Sequence, residues 1–473
     1  MIPVRGFEGK RVAVFGLARS GLTAARALIA GGADVIVWDD NAEARFKATA
    51  DGLNVEDFGI ADWSTLAALV VSPGVPLTHP QPHWTVNMAR AAGVEVIGDM
   101  ELFARTVNAA PAHKRPKIVA ITGTNGKSTT TALLGWICRQ AGKDTRVGGN
   151  IGAGVLGLED THGGAVYVLE LSSYQLDLTQ SLKADVAILL NVTPDHLDRH
   201  GGMEGYVAAK RRVFQNQGKG DTAIIGADDA WSQRICTEVI AANGRTVWPI
   251  SSGRALGRGV YALSGVLYDA TGERVAEVAD LNKAKALPGK HNGQNAAAAY
   301  AAALALGITP EDAAAALASF PGLAHRMEPV GAVGKVRFVN DSKATNADAA
   351  RQAMSSVPRF RWIAGGQAKA GGIAPLSDLF NRVETAYLIG EAAEPFAETI
   401  GDRAPVRQCE TVERAVQAAF ADAAASGRDE VVLFSPACAS FDQFSDFEQR
   451  GEAFRRAVDA LRHDATRPMA VDA

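Results

Sequence analysis

The chain is predicted to be an α/β protein of three domains built on mainly parallel sheets. Short apolar runs alternate with helical segments along most of its length, the pattern of parallel strands joined by crossover helices. A strand, a glycine turn, Lys127-Ser128 and a helix follow one another between positions 117 and 140. Two breaks punctuate the chain: the proline-bounded stretch Ala109 to Pro116, and Pro321-Gly322. A length of 473 residues allows about three domains of ~150 residues, so the boundaries fall at 1–112, 113–322 and 323–473.

In the first block, Arg11–Phe15 reads as a strand, Ser20–Ala30 as a helix and Asp34–Trp38 as a strand. In the second, Lys117–Thr122 is a strand entering the glycine turn, and Thr129–Gln140 is the helix leaving it. Ala165–Leu171, Asp185–Val192 and Thr222–Gly226 are further apolar strands, and an Ala-rich helix spans Asn295–Leu306. Tyr206 to Arg212 reads as helix, His200 to Gly205 as loop, and the glycine- and charge-rich Ser251 to Lys285 as hairpin and loop. In the third block, strands are expected at Phe338–Asn340, Arg361–Ala364, Ala386–Ile389 and Val431–Phe434, with helices between.

A hydrophobic content of 47% suffices for buried cores. A net charge of −4 gives no nucleic-acid footprint. The four cysteines, Cys138, Cys236, Cys409 and Cys438, have no metal spacing and read as reduced, mostly buried thiols of a cytosolic protein. The first residues lack a signal-peptide pattern, and no apolar run approaches the ~20 residues that span a bilayer. A cytoplasmic protein without membrane insertion is expected.

The chemistry centres on Lys127. Backbone N–H groups of Gly123, Thr124, Asn125 and Gly126, together with the positive helix end at Lys127, Ser128 and Thr129, are arranged as a cradle for a nucleotide triphosphate. Lys127 would reach the β- and γ-phosphates and Ser128 would hold Mg²⁺. The first glycine of the usual G-x-x-x-x-G-K-[ST] pattern falls on Ile121, so the assignment rests on the flanking strand and helix. A plain helix start with a solvated lysine would leave Gly123 and Gly126 without a purpose.

Gly16-Leu17-Ala18-Arg19-Ser20-Gly21 also opens a helix after a strand, with Asp39 and Asp40 ending the next strand. It reads equally as a dinucleotide fingerprint, a tight turn, or a site for another nucleotide diphosphate. Glu170, ending an apolar strand before Leu171-Ser172-Ser173-Tyr174-Gln175, faces the ligand crevice of a parallel sheet and suits Mg²⁺. Asp195, His196 and Asp198 crowd the end of another strand of that sheet, which favours function over isolated structural roles. Lys210 alone reads as an ordinary surface lysine. His291-Asn292-Gly293-Gln294-Asn295 is either a plain N-cap or a set of amides for a purine edge.

Taken together, Thr122 to Ser128, Glu170 to Gln175, Asn191 to Asp198, Ala208-Ala209-Lys210, His291 to Asn295 and His325-Arg326 resemble the Mur ligase family, in its order and over essentially the whole chain. Asn340-Asp341-Ser342-Lys343-Ala344-Thr345-Asn346 and Ser435 to Phe444 resemble the branch that adds D-glutamate to UDP-N-acetylmuramoyl-L-alanine. The resemblance implies an ATP-dependent amide-bond ligase of peptidoglycan precursor synthesis working through an acyl phosphate. It implies a Rossmann-like UDP-binding domain, a P-loop-type central ATPase domain and a Rossmann-like amino-acid-binding domain.

It further implies residue roles. Arg19, Ser20, Asp39, Ser72 and Gly74 would contact the UDP part of the substrate, which displaces the dinucleotide reading. Asn150, Gln175 and His196 would meet its reacting end. Asn292 and Asn295 would hold adenine, and Arg326 and Asp341 would touch ATP. Lys127, His196 and Lys210 would be catalytic. One Mg²⁺ would sit on Ser128 and Glu170, and a second on His196 and on Lys210 carried as a CO₂-derived carbamate. Lys343, Thr345, Lys369, Ser440, Phe441 and Phe447 would receive D-glutamate. The only partners implied are these small molecules, and the protein is expected to be a monomer. The competing readings are a non-catalytic nucleotide-sugar regulator, which would need broken metal ligands, and an NAD(P)-dependent oxidoreductase built on the first block. The longer Ser251 to Lys285 region and the loop after Asp198 depart from the family pattern and are expected to lie away from the site.

Overall fold

A computed structural model describes residues 1–284, 286–287, 289–368 and 371–466. The chain forms two compact units, Met1–Phe320 and Pro321–Ala473, the second beginning at the predicted Pro321-Gly322 break.

The first unit holds two sheets. One comprises β1 (Arg11–Phe15), β2 (Asp34–Trp38), β3 (Leu66–Val71) and β4 (Glu95–Ile97), in the order β2-β1-β3-β4, all parallel. The other has nine strands: β5 (Lys117–Thr122), β6 (Asp144–Gly149), β7 (Ala165–Glu170), β8 (Val186–Leu189), β9 (Thr222–Gly226), β10 (Thr246–Ser251), β11 (Gly259–Leu263), β12 (Val266–Ala270) and β13 (Ala276–Asp280). Their order is β13-β12-β11-β10-β9-β8-β5-β7-β6. Strands β5 to β11 are parallel to their neighbours, and β12 and β13 add antiparallel at one edge.

The region beyond Ser251 bears out the expected hairpin, since β11 and β12 pair antiparallel across Ser264-Gly265, and corrects the expected loop, since β11 to β13 all extend the sheet. The predicted helix at Asn295 begins five residues earlier, at Lys290, so His291 to Asn295 lie inside its first turns and the N-cap position is Gly289. The expected loop after His200 also shrinks. A short helix ends at His200 and another starts at Met203.

The two sheets of this unit share one core. Ile2, Val4, Leu28 and Val70 belong to the same cluster of buried side chains as Ile118, Tyr167, Leu189 and Phe214. Phe103, on the helix Asp99–Ala109, stands 5.4 Å from the Tyr167 ring, and Ile2 N–H donates to the Leu156 carbonyl at 2.8 Å. Glu101 on that helix adds a polar clasp. It accepts from the backbone of Gln180 (2.7 Å) and Ser181 (2.9 Å), and from the Ser181 hydroxyl and Arg105. Burial opposes its charge, but those donors outweigh burial and hold its pKa below the ordinary glutamate value. Its stabilising contribution is therefore present above that ordinary value and lost as pH falls through the lowered one. Glu101→Ala strands two backbone N–H groups, and is expected to cost about 3 kcal/mol, read as a lower melting temperature at neutral pH that converges on wild type in acid.

The second unit is a six-stranded sheet of β14 (Glu328–Val333), β15 (Val336–Asn340), β16 (Phe360–Gly365), β17 (Val383–Ile389), β18 (Val406–Glu410) and β19 (Glu430–Phe434), in the order β14-β15-β19-β16-β17-β18. Only β14 runs antiparallel. Among the described residues, no helix is long and apolar enough to cross a membrane.

Candidate active site

The register of the nine-stranded sheet assembles the site. Ile121 on β5 pairs with Glu170 on β7, Thr122 with Leu189 on β8, and Gly149 on β6 with Glu170. Three crossovers thus open at one edge, where parallel strands present their carboxyl ends to ligands.

The phosphate loop leaves β5 there. Gly126 has φ +84°, and a Cβ on it would stand 2.2 Å from the Asn295 Oδ1, so the turn requires glycine. The helix Lys127–Gln140 follows. Lys127 Nζ folds back onto the Gly123 and Thr124 carbonyls at 2.9 and 2.8 Å. Thr124 and Asn125 donate their N–H groups to the carbonyl and side-chain oxygen of Asn191, at 2.9 and 2.8 Å. Ser128 and Thr129 are buried behind the turn.

Lys210 overturns its reading as a surface lysine. It is 1% exposed, reaches the Gly123 carbonyl at 2.7 Å, and lies 4.6 Å from the centre of the Tyr206 ring. Gly123 thus accepts from two lysines. Burial first, and then the Lys127 charge, drive the Lys210 pKa well below the usual lysine range. No sequence signal separates such a lysine from an exposed one, because its neighbours come from distant segments.

Glu170 is also buried. Asn150 Nδ2 donates to its Oε1 at 2.9 Å, while its Oε2 is buried with no hydrogen-bond partner. Such an orphaned oxygen suits a cation. His196 adopts the left-handed conformation, φ 51°, with its ring 5.0 Å from Tyr174. Burial, ahead of Lys127 and Lys210, keeps its pKa below the ordinary value despite Asp195, which favours the neutral imidazole that ligates metals. Among the described residues, no three His, Cys, Asp or Glu side chains gather as a ready-made metal cage.

Lys127, His196 and Lys210 line a cavity of 440 Å³, joined by Arg19, Ser20, Gly74, Asn150, Gln175 and Asp195, while Glu170 is outside the lining and bonded to Asn150. Of the predicted nucleotide-sugar residues, Asp39 and Ser72 are absent from the lining. Asp39 accepts from the Leu17 N–H at 2.6 Å and the Asn41 N–H at 2.8 Å, and Ser72 donates to the Gly16 carbonyl at 3.0 Å. Both brace the glycine turn. Asp198 is exposed and outside the lining.

Sequence reasoning missed Asp99, Tyr174 and Tyr206 as lining residues. The segment after Asp198 is also closer to the site than expected. His200 bonds Ser173 Oγ at 2.9 Å and stacks 5.5 Å from Tyr174. Asn292 and Asn295 are buried, with Asn295 Nδ2 donating to Asn292 Oδ1 at 2.9 Å and Thr130 donating to Asn295 Oδ1.

In the second unit, Asn340 pairs with Phe434, and Ile363 also pairs with Phe434, so the loops after β15, β16 and β19 meet. Asp341 accepts from Ser435 Oγ at 2.8 Å and Met327 N–H at 3.1 Å, and burial lifts its pKa to about 6, with Arg326 acting against the shift. Lys343 Nζ lies 5.3 Å from the Phe447 ring centre. Thr345 N–H donates to the Lys343 carbonyl. Ser440 is buried and Phe441 exposed. Lys369 lies outside the described residues. Arg450, unremarked in the sequence, is buried and donates to Ser342 Oγ and to the carbonyls of Ser342, Cys438 and Ala439, at 2.8 to 3.1 Å. It ties the Lys343 loop to the Ser440 loop.

Residues 121–303 match the Mur ligase middle domain, and residues 325–438 match the Mur ligase, glutamate ligase domain. The UDP-N-acetylmuramoylalanine--D-glutamate ligase of Caulobacter sp. (strain K31) is 74% identical over 467 residues, covering 99% of this chain and 100% of that protein. The chain belongs to the Mur ligase family. The ligase of the same name from Phenylobacterium zucineum (strain HLK1) is 69% identical, covering 98% of each chain. Among solved Mur ligases, UDP-N-acetylmuramate-alanine ligase MurC from Thermotoga maritima shares the fold, with TM-score 0.57 and 18% identity over 95% of this chain and 99% of that one. MurF from Acinetobacter baumannii matches with TM-score 0.54 and 22% identity, over 72% and 77%. The Mur ligase fold of this chain is thus the α/β arrangement of largely parallel sheets that the alternating strands predicted.

Proposed function

We propose that the protein joins D-glutamate to UDP-N-acetylmuramoyl-L-alanine with hydrolysis of ATP to ADP and phosphate, a carbon–nitrogen ligase of peptidoglycan precursor synthesis. The observation that carries the reading is the convergence of Lys127, His196 and Lys210 on one cavity with Asn150 and Gln175, Glu170 being bonded to Asn150, in a chain matched over nearly its whole length by relatives of that name.

A carboxylate is a poor electrophile, so the alanyl carboxylate first attacks the γ-phosphate of ATP. The acyl phosphate formed carries a good leaving group. The neutral amine of D-glutamate attacks the acyl carbon, and the tetrahedral intermediate collapses to amide and phosphate. Both steps bring anions together, so positioning and charge neutralisation carry the catalysis. Lys127 supplies a cation at the phosphates. The unpartnered Glu170 oxygen and Ser128 suit Mg²⁺, which when bound would neutralise phosphate charge. A second Mg²⁺ is proposed on His196 and Lys210. Burial that disfavours the Lys210 ammonium leaves a nucleophilic amine, which supports carbamate formation with CO₂ and converts a cation into an oxygen ligand. Asn292 and Asn295 would hold adenine, and Arg326 and Asp341 would act on ATP.

The functional division follows the three sheets: 1–112 for UDP, with Arg19, Ser20 and Gly74 at the cavity and Asp39 and Ser72 bracing its turn; 113–322 for ATP; and 323–473 for the amino acid. A cytoplasmic monomer acting on these small molecules fits the reading. Phosphate release measured with UDP-N-acetylmuramoyl-L-alanine, ATP and a panel of amino acids should depend on D-glutamate. Release supported equally by other amino acids would overturn the assignment.

The second unit would set amino-acid choice through charge. D-Glutamate brings two carboxylates, and Lys343 beside Phe447, with Thr345, Ser440, Phe441 and Lys369, would receive them. Lys343→Ala is expected to raise the KM for D-glutamate at least tenfold, the scale of one lost charge-assisted hydrogen bond, and to leave the KM for ATP within about twofold. A rise in the ATP value alone would place Lys343 on the other ligand.

A further inference from the structure

Ser173 and Asp177 lie four residues apart on the short helix Ser173–Asp177, a spacing that puts both side chains on one face. His200 ends the short helix Leu197–His200 and meets both of them. Its two ring nitrogens are divided between the pair: Nε2 is 2.9 Å from Ser173 Oγ, and Nδ1 is 3.2 Å from Asp177 Oδ2. The imidazole is 3% exposed and packs against two phenols, stacked on Tyr174 at 5.5 Å and tilted on Tyr206 at 5.4 Å. These partners set the tautomer. A proton on Nδ1 faces a carboxylate, whereas a lone pair there would face negative charge. The neutral ring therefore carries its proton on Nδ1 and offers Nε2 as an acceptor. The Ser173 hydroxyl then donates to Nε2. A hydroxyl has one hydrogen and two lone pairs, so Ser173 keeps only acceptor capacity. Ser173 is buried, yet it lines the cavity, and among the described residues its Oγ has this one partner.

We propose that Ser173 is a binding residue for the nucleotide-sugar, accepting a hydrogen bond from one of its N–H or O–H groups, and that His200 is the positioning residue that keeps the Ser173 oxygen an acceptor. The inference rests on the function proposed above. The cavity is already supplied with donors for the anionic parts of the substrates, since Arg19, Lys127, Asn150 and Lys210 line it. A nucleotide-sugar also carries amide N–H groups and sugar hydroxyls, and these need acceptors. An unrestrained serine hydroxyl donates as readily as it accepts. With its hydrogen held by His200, Ser173 selects a neutral donor over an anion, in a cavity where the other polar groups select the reverse.

Initial rates of phosphate release by the full-length enzyme, with melting curves as the control, test this. Ser173→Ala should raise the KM for UDP-N-acetylmuramoyl-L-alanine by about 3–10-fold, the scale of one neutral hydrogen bond. Both kcat and the KM for ATP should stay within about twofold, the pattern of lost binding that is equal in ground and transition states. His200→Phe keeps a ring against Tyr174 but removes Nε2, and should move the same KM in the same direction. The double variant should be no worse than Ser173→Ala, because His200 acts only through that hydroxyl. His200→Gln, which can return an acceptor oxygen to Ser173, should recover part of the His200→Phe loss. If these variants melt early, Asp177→Ala, at a side chain 34% exposed, releases the tautomer and should raise that KM by about 2–3-fold. A folded Ser173→Ala or Asp177→Ala enzyme with wild-type KM for the nucleotide-sugar, a loss shared equally by ATP, or losses that multiply in the double variant would overturn the inference while leaving the proposed function standing. A wild-type enzyme without nucleotide-sugar-dependent phosphate release would overturn both.

Discussion

Lys127→Ala is expected to lower phosphate release by about 10²–10³-fold, the usual loss for one preorganised group that stabilises transition-state charge. The expectation follows from where the ammonium sits. It rests on the Gly123 and Thr124 carbonyls of its own turn, at the first residue of the helix Lys127–Gln140. Lys127 lines the cavity, where its ammonium would meet phosphate charge. The fold should survive, because the Gly123 carbonyl keeps its second donor, Lys210. Steady-state phosphate release and a melting curve check both halves. Near-normal turnover in a folded variant would remove the phosphate-loop assignment.

The second large effect is expected at Lys210, where activity and stability should part company. Lys210→Met removes the amine proposed to carry the carbamate, and activity should fall by at least about 10²-fold, as for loss of a group that shapes transition-state electrostatics. Stability should not fall with it. Keeping an ammonium at this buried place is unfavourable, which is why the pKa is displaced downward, and methionine fills the space without that cost. The sign with pH is definite. Between the lowered pKa and the ordinary lysine value the unfolded chain binds the extra proton, so wild-type stability should rise with pH through that window, and the Met variant should lose the slope. Acidification through the lowered pKa regenerates the ammonium and should discharge the carbamate, seen by ¹³C NMR after exposure to labelled carbonate. An unmodified Lys210 in a complex with nucleotide and Mg²⁺ would refute the modification.

Local signals made much of this legible. Lys117–Thr122 is a continuous apolar run ended by Gly123, and its strand has those bounds. Arg11–Phe15, Asp34–Trp38 and Thr222–Gly226 were equally plain, since buried parallel strands read as unbroken apolar stretches. What escaped was decided by partners far along the chain. Lys210 is buried because the Gly123 carbonyl and Tyr206 receive it. Asp99 becomes a cavity residue only because the first sheet packs on the second. Arg450 is a hub through backbone carbonyls, which leave no trace in side-chain chemistry. Strands β11 to β13 are five residues each and are joined by connections rich in glycine and charge, so composition argued for hairpin and loop. The helix at Lys290 begins at Gly289 without a side-chain cap, so its usual start signal is missing.

The core shared by the first two sheets bears on how the enzyme could be taken apart. Two sheets with separate cores could be expressed singly, exchanged between relatives, or inherited as independent modules. Here a cut near residue 112 would strip the packing from Ile118 and Tyr167 on one piece and from Phe103 and Leu28 on the other, and would leave the Glu101 carboxylate facing water instead of Gln180 and Ser181. Each fragment would present a greasy face that invites aggregation. A screen for nucleotide-sugar analogues run on the isolated N-terminal piece would then report on a sticky fragment, whereas a cut at Pro321 follows a natural seam.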